Sequence, residues 1–198
     1  SAPVKDGRTR ECDGSGVVLA LDANTVYIAT AAHCLKYEYT QVRLPDGSQY
    51  TATIAYKNPA KDVGFLLVDA VQLSPETLAA LTPAPGADAA AIGEVPGNLI
   101  FAVSSVETPN GIICIGYLDN FSVVYPNNPQ QNVLQFYSDA TYGSSGGGVY
   151  TLDGIWIGSV SGGNNRGKCW AVPYTDIVGE FAGWMNLMAL KQQAQQAN

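Results

Sequence analysis

The sequence predicts an all-β protein, built as two antiparallel six-stranded β-barrels followed by a C-terminal α-helix. Short runs rich in β-branched and aromatic residues recur along the chain, and such residues favour strands. The chain also contains 21 Gly and 11 Pro in 198 residues, which is typical of many short strands and tight turns rather than of a helical bundle. Closed barrels would remove the exposed edges that so many short strands otherwise present.

The first half of the chain contains five of these runs, separated by turn-forming segments. The runs span 17–21, 25–29, 41–44, 50–56 and 63–68. We assign residues 1–72 to an N-terminal barrel and residues 73–87 to a linker. In the linker, Ser74 followed by Pro75 is typical of an N-cap before the first helical residue, which predicts a short helical turn over 76–81.

The second half of the chain resumes the strand-like pattern, and we assign residues 88–175 to a C-terminal barrel. Its runs span 89–92, 99–106, 112–117, 123–125, 133–137, 149–152, 155–160 and 170–172. Helical spacing follows, so we assign residues 176–198 to a C-terminal helix with a polar tail. We expect the helix to cover about 176–190 and to pack on the second barrel, and the tail over 192–198 to fray. The apolar residues at helical spacing are Ile177, Phe181, Trp184 and Met188.

The charge balance and the hydropathy exclude several classes of function. Ten Lys and Arg against 17 Asp and Glu give a net charge of −7, so we expect no nucleic-acid partner. No apolar stretch approaches the roughly 20 residues needed to span a bilayer, so we expect no membrane partner. With one histidine and no Cys-x-x-Cys pair, we expect no metal site and no cofactor.

Two acid–base candidates follow the pattern of the predicted strands. The single histidine, His33, lies in the segment Thr-Ala-Ala-His-Cys directly after a predicted strand, where a scaffold can present a side chain to a cleft. An isolated histidine is more often an ordinary core or surface imidazole. Asp62 heads the apolar run 63–68, and it is either an ordinary turn residue or a buried partner that accepts a hydrogen bond from His33 Nδ1.

A Gly-rich turn at 143–148 supplies a candidate nucleophile. Glycines are common in tight turns, so the turn alone is weak evidence. A nucleophilic serine, however, needs two backbone N–H groups aimed at the developing oxyanion, and glycines let a substrate carbonyl approach them. The N–H groups of Gly143 and Ser145 would supply this oxyanion hole, with Ser145 Oγ as the attacking atom.

Taken together, these three segments resemble the chymotrypsin-like (trypsin-fold) serine peptidase family. His33, Asp62 and Ser145 stand in that family's order, separated by 29 and 83 residues. The segments Thr-Ala-Ala-His-Cys, Asp-Val-Gly-Phe-Leu-Leu-Val and Gly-Ser-Ser-Gly-Gly look like its three signatures. Residues 91–97 and 138–140 are more similar to its bacterial trypsin-like, HtrA and glutamyl-endopeptidase branches. The resemblance covers nearly the whole chain.

The resemblance implies a serine endopeptidase that hydrolyses polypeptide substrates in the cleft between the barrels. Ser145 would attack the scissile carbonyl to form an acyl-enzyme, His33 would act as base and then as acid, and Asp62 would orient the imidazole. We expect the protein to be a monomer.

The resemblance also implies a set of substrate-binding residues. Ser161, Gly162 and Gly163 look like the segment that runs beside the substrate backbone, with Ser161 touching the triad aspartate and the glycines leaving the primary pocket open. Asp139 lies six residues before the predicted nucleophile, where trypsin-like members carry the carboxylate at the base of that pocket. A buried carboxylate there would favour Arg or Lys at P1. In HtrA-like relatives a similar segment forms no such pocket.

The cysteines bear on the compartment in which the protein is found. The resemblance implies a Cys12–Cys34 disulfide, which would close a loop around the histidine and indicate an oxidising compartment, secreted or periplasmic. Cys114 and Cys169 match no family partners, and they either pair with each other or remain two buried thiols.

Two other functions remain open from the sequence. A catalytically silent member of the fold could serve as a binding module, although such proteins usually lose a triad residue. A viral polyprotein protease or a self-cleaving protease could have nearly the same sequence, although a disulfide beside His33 argues against a cytosolic viral product.

Overall fold

A computed structural model describes most of the chain. The described residues are 2–3, 9–10, 13–37, 40–104, 111–164 and 166–196. They form two main antiparallel sheets and a C-terminal helix. A short ladder between β1 (Ala2–Pro3) and β2 (Thr9–Arg10) precedes them.

The first sheet contains five antiparallel strands, one for each strand-like run of the first half. They are β3 (Gly16–Leu21), β4 (Thr25–Thr30), β5 (Thr40–Arg43), β6 (Gln49–Asn58) and β7 (Val63–Asp69). They pair in the order β3-β4-β7-β6-β5. The predicted six-stranded barrel is wrong for the described residues of this half, because a 3-10 turn (Ala70–Gln72), a short helix and coil follow β7 in place of a sixth strand.

The second sheet contains six antiparallel strands that close on themselves. They are β8 (Leu99–Ser104), β9 (Ile112–Tyr125), β10 (Asn128–Ser138), β11 (Gly148–Thr151), β12 (Trp156–Gly163) and β13 (Lys168–Pro173). Their order around the ring is β10-β13-β12-β11-β8-β9. The predicted runs 112–117 and 123–125 are parts of the single long strand β9.

One predicted strand, 89–92, is wrong, because these residues form a turn. The backbone N–H groups of Ala91 and Ile92 donate to the carbonyl of Asp88, and the N–H of Ala90 donates to its carboxylate. Alanine has a weak preference for strands. The Asp88 side chain offers the backbone a local alternative to sheet pairing, and that alternative prevails here.

Both predicted helices are present, and the second is longer than expected. Helix α1 (Pro75–Ala80) is capped by Ser74, whose hydroxyl accepts from the N–H of Thr77, as the sequence predicts. Helix α2 (Tyr174–Gln196) continues through most of the tail that was predicted to fray, because its Ala, Gln, Lys and Leu residues favour helix. In the described part of the chain, no helix is long and apolar enough to cross a membrane.

A shared hydrophobic cluster holds the two sheets and α2 together. Phe65 of the first sheet, Trp156 of the second and Trp184 of α2 are all buried in it. The Phe65 ring lies 5.3 Å from that of Phe181 and 5.9 Å from that of Trp184. The helix therefore packs on both sheets, not on the second alone. Aromatic burial of this kind contributes about 1.5–3 kcal/mol per side chain, and it fixes the relative position of the two sheets.

A half-buried carboxylate on α2 also ties the helix to the loop that leads into β7. Glu180 accepts hydrogen bonds from Tyr56 and Asn58 and pairs with Lys61, whose Nζ lies 2.8 Å from Oε1. Burial raises the pKa of Glu180, but these hydrogen bonds outweigh it and bring the pKa to about 2. The carboxylate is thus charged at neutral pH and anchors the loop that carries Asp62.

Candidate active site

His33 lies in a 3-10 turn (Ala32–Cys34) directly after β4. Its backbone N–H donates to Asp62 Oδ1 over 3.0 Å, and its Nδ1 lies 3.0 and 2.9 Å from the two carboxylate oxygens. A carboxylate only accepts hydrogen bonds, so Nδ1 carries a proton, and in the neutral ring Nε2 is left to accept one. The predicted pair of His33 and Asp62 is therefore brought together in the structure.

Asp62 ends a turn and adopts an unusual backbone conformation. Its φ is +55°, in the left-handed region that aspartate tolerates better than most residues. In this conformation both the side chain and the backbone of Asp62 contact the turn that carries His33. The side chain binds His33, and the backbone carbonyl accepts a hydrogen bond from the N–H of Ala32 over 3.2 Å. The Asp62 side chain is 12% exposed, whereas the His33 side chain is 44% exposed. The acid is enclosed and the imidazole faces solvent.

The environment of His33 favours its protonated form. The hydrogen bond to Asp62 raises the pKa of His33 most, a hydrogen bond to Cys34 raises it further, and partial burial lowers it. The net effect is a pKa above the ordinary value of 6.5. An imidazolium beside a carboxylate is the state that a general base reaches after it has taken a proton.

Ser161, from the second sheet, completes the coordination of Asp62. Ser161 is buried, and its Oγ donates to Asp62 Oδ2 over 2.5 Å. The predicted contact between Ser161 and the aspartate is therefore present. It joins β12 of the second sheet to the loop before β7 of the first.

The Gly-rich turn around Ser145 presents two backbone donors. The N–H of Ser144 donates to the carbonyl of Thr141, and Gly143 has a φ of +84°. A positive φ at the third residue of such a turn is what a type II turn requires, hence glycine. The N–H groups of Gly143 and Ser145 donate to no partner among the described residues. These are the two N–H groups that the sequence predicts as an oxyanion hole.

The Ser145 turn lies directly against the segment that carries His33. Gly146 is in such close contact that an added Cβ would lie 2.4 Å from Thr30 Oγ1 and 2.8 Å from the Ala31 nitrogen. Among the described residues, no hydrogen bond joins Ser145 Oγ to His33. Nucleophile and base are often further apart in a ligand-free site and approach in the substrate complex.

Ser15 links the two loops, a role that is not among those predicted from the sequence. Its N–H donates to the carbonyl of Ser145 over 2.8 Å, and its Oγ donates to the carbonyl of Gly143 over 2.8 Å. Its own carbonyl accepts from Thr30 Oγ1 over 2.6 Å. Ser15 thus fixes the turn that holds the two free N–H groups. Its position between two glycines was the signal that could have drawn attention to it.

The segment Ser161–Gly163 extends beyond the strand that pairs with its outer edge. The last residue of β12 paired with β11 is Ser159, while Gly162 and Gly163 pair with β13 on the other side. Within the described residues, the outer edge of this segment is therefore open. An extended chain could add to such an edge through backbone hydrogen bonds.

The predicted pocket residue Asp139 is exposed, which contradicts the expectation of a buried carboxylate. It follows β10, and its neighbour Ala140 packs on the interior of the second barrel together with Cys114 and Cys169. Strand β10 ends at Ser138, and Asp139, Thr141 and Tyr142 beyond it are exposed. The carboxylate is consequently left in solvent.

The described residues contain three cysteines, Cys34, Cys114 and Cys169, and no disulfide joins any two of them. The possible Cys114–Cys169 disulfide is thus not formed, and burial raises the pKa of the Cys169 thiol to about 11. The Cys34 Sγ lies 3.9 Å from the carbonyl of Ser145. The predicted Cys12–Cys34 disulfide depends on Cys12, which lies outside the described residues.

The described residues contain no group of three or more His, Cys, Asp and Glu side chains arranged to hold a metal ion. The polar groups of the site are instead directed at one another, through Asp62, and at the space in front of Ser145.

One known protein family matches most of the chain. The family described as "Trypsin-like peptidase domain" matches residues 14–158, a range that contains His33, Asp62 and Ser145. The comparison with curated proteins gives no match.

Two solved structures show the same fold. The HtrA-type protease AlgW, solved with a decapeptide, has a TM-score of 0.74 at 18% identity, over 87% of this chain and 51% of that one. Rv3671c from M. tuberculosis H37Rv, a serine-to-alanine mutant in an inactive form, has a TM-score of 0.67 at 19% identity, over 87% of this chain and 82% of that one. The chain spans about half the length of the HtrA-type protease. It belongs to the family of trypsin-like peptidase domains.

Proposed function

We propose that the chain hydrolyses peptide bonds with Ser145 as nucleophile, His33 as general base and acid, and Asp62 as the residue that orients the imidazole. The observation that carries this proposal is the hydrogen-bonded pair of His33 and Asp62 beside a turn whose Gly143 and Ser145 N–H groups donate to no described residue. A serine, a base and a preformed oxyanion hole are together sufficient for acyl transfer.

Each step of the reaction can be assigned to a group in the site. Ser145 Oγ attacks the scissile carbonyl while its proton moves to His33 Nε2, and the N–H groups of Gly143 and Ser145 receive the oxyanion. The imidazolium then gives that proton to the leaving amine, which leaves an acyl-enzyme. His33 then removes a proton from water as the water oxygen attacks the acyl group, and it gives that proton to Ser145 Oγ when the acyl–oxygen bond breaks, which releases the second product as a carboxylic acid.

The open edge of Ser161–Gly163 supports an extended polypeptide as substrate. Backbone pairing there would hold the chain independently of most of its side chains. Gly162 and Gly163 add no side chain to obstruct the residue that precedes the scissile bond. We propose a general endopeptidase activity acting on other polypeptide chains, from a monomer in an extracytoplasmic compartment.

Removal of the nucleophile or the base should abolish hydrolysis. Ser145→Ala and His33→Ala should each lower kcat for a peptide substrate by roughly 10⁴–10⁶-fold, because only binding and the oxyanion hole would still contribute. The measurement is steady-state hydrolysis of a fluorogenic peptide by each purified variant, with folding checked by circular dichroism.

Ser159→Ala is the matched control for this experiment. Ser159 lies on β12, and its buried Oγ has no hydrogen-bond partner among the described residues, so this variant should retain wild-type turnover. Near-normal turnover of Ser145→Ala would overturn the assignment of the nucleophile, and a wild-type protein without activity would favour the silent binding module.

The pH dependence should report the raised pKa of His33. The base acts in its neutral form, so kcat/KM should rise with pH through a midpoint above 6.5, the ordinary pKa. Because the chain contains one histidine, NMR of ¹⁵N-histidine-labelled protein can follow this titration directly. Asp62→Asn keeps a side chain that tolerates the left-handed conformation and should lower the midpoint towards 6.5. A wild-type midpoint at or below 6.5 would contradict the role of Asp62.

Selectivity for Arg or Lys at P1 should be weak. The exposed carboxylate of Asp139 can contribute about 1 kcal/mol or less to a basic side chain, which is roughly fivefold. Peptides that differ only in Arg or Gln at P1 should therefore differ in kcat/KM by about this factor, and Asp139→Asn should remove the difference. A ratio above one that Asp139→Asn leaves unchanged would show that Asp139 is not the source of the preference, and a hundredfold ratio would require a carboxylate removed from solvent.

A further inference from the structure

The hairpin formed by β9 and β10 reaches from the second sheet to the segment that leads into Asp62. Gln131 Nε2 donates to the carbonyl of Lys61 over 2.7 Å, and Asn128 Nδ2 donates to the carbonyl of Ala60 over 2.5 Å. Gln131 is only 6% exposed. Two hydrogen bonds from one hairpin thus hold the backbone of the two residues that precede Asp62.

The backbone of Asp62 explains why such support matters. Its left-handed conformation is sparsely populated for residues other than glycine, and it persists only where the surroundings hold it. The hairpin supplies part of these surroundings from the second sheet. The loop that presents the acid to His33 is therefore not determined by the first sheet alone.

Tyr125, the last residue of β9, brings a third polar group of the hairpin close to Asp62, because it contacts Ser161, which donates to the Asp62 carboxylate. Ser161 Oγ lies 2.5 Å from Asp62 Oδ2 and 3.3 Å from Tyr125 Oη. A carboxylate only accepts, so the single hydroxyl proton of Ser161 is directed at Asp62. The phenol must then be the donor to Ser161 Oγ. Its own oxygen can accept from Asn127 Nδ2 at 3.4 Å, so the direction of the whole chain of hydrogen bonds is fixed.

The position of the Tyr125 hydroxyl is determined by packing. Tyr125 is 7% exposed, and its ring lies 6.0 Å from the ring of Trp170. The hydroxyl occupies space that Gly162 leaves open, because an added Cβ at Gly162 would lie 2.7 Å from Oη. The missing side chain at Gly162, predicted to keep the substrate pocket open, therefore also makes room for this contact.

We propose that Tyr125 is a positioning residue of the catalytic acid. It acts through Ser161, because the phenol holds the serine hydroxyl in the rotamer that donates to Asp62. The carboxylate is thereby held in the orientation in which it accepts a hydrogen bond from His33 Nδ1. The proposal rests on the peptidase function proposed above. Tyr125 itself has no place in the proton transfers, so it should affect turnover rather than substrate binding.

The test compares Tyr125→Phe with wild type in peptide hydrolysis. The ring and its packing on Trp170 are kept and only the hydroxyl is lost, so kcat should fall about three- to tenfold, as expected for one buried hydrogen bond, with KM unchanged. Tyr117→Phe is the matched control, because Tyr117 lies on the same strand, is 44% exposed and donates to no partner among the described residues. It should keep the wild-type kcat.

A double-mutant cycle with Ser161→Ala separates this role from a merely structural one. If Tyr125 acts through Ser161, then Tyr125→Phe should cause no further loss of kcat in the Ser161→Ala background. Gly162→Ala provides a second route, since its methyl group should displace the phenol. It should lower kcat as Tyr125→Phe does, with no added loss of kcat when the two are combined.

The possible failures can be told apart. An active wild-type protein in which Tyr125→Phe keeps full kcat, or loses the same factor with and without the Ser161 hydroxyl, overturns the role of Tyr125 and leaves the peptidase function intact. A wild-type protein with no Ser145-dependent hydrolysis overturns the proposed function, and the role of Tyr125 with it.

Discussion

The carboxylate of Asp62 accepts hydrogen bonds from the backbone and ring of His33 in one sheet and from Ser161 in the other. These bonds set the tautomer of the imidazole, and they require a backbone conformation at Asp62 that few residues adopt. The arrangement is stable only if both sheets hold their parts in place. The relative position of the two sheets is therefore the constraint on which the site depends.

Several independent contacts meet that constraint. The aromatic cluster of Phe65, Trp156 and Trp184 joins both sheets to helix α2, and the charged Glu180 fixes the same helix to the loop before Asp62. Ser15 fastens the start of the first sheet to the turn that carries Ser145. Burial of apolar side chains supplies most of the free energy that holds the two sheets together, whereas the polar contacts determine their exact relative position. The catalytic groups are thus positioned by contacts between sheets rather than by any single strand.

The features that could be predicted from the sequence are those determined by residues close together along the chain. The sequence located the strands of the first sheet, the capped helix after Ser74, and the segments of His33, Asp62 and Ser145, because turn chemistry and β-branched runs are local signals. It missed the turn at 89–92, where an aspartate side chain displaces sheet pairing, and the helical tail to Gln196. It also missed Ser15, Tyr125 and Gln131. Their partners lie far away in sequence, so no spacing rule indicates them.

The most direct test of the account is to map the covalent adduct of a fluorophosphonate by mass spectrometry. This reagent labels a serine only where a base removes its proton beside an oxyanion hole. The account predicts one adduct, on the peptide that contains Ser145, and its loss in His33→Ala. An unlabelled protein, an adduct on another serine, or undiminished labelling in His33→Ala would contradict it.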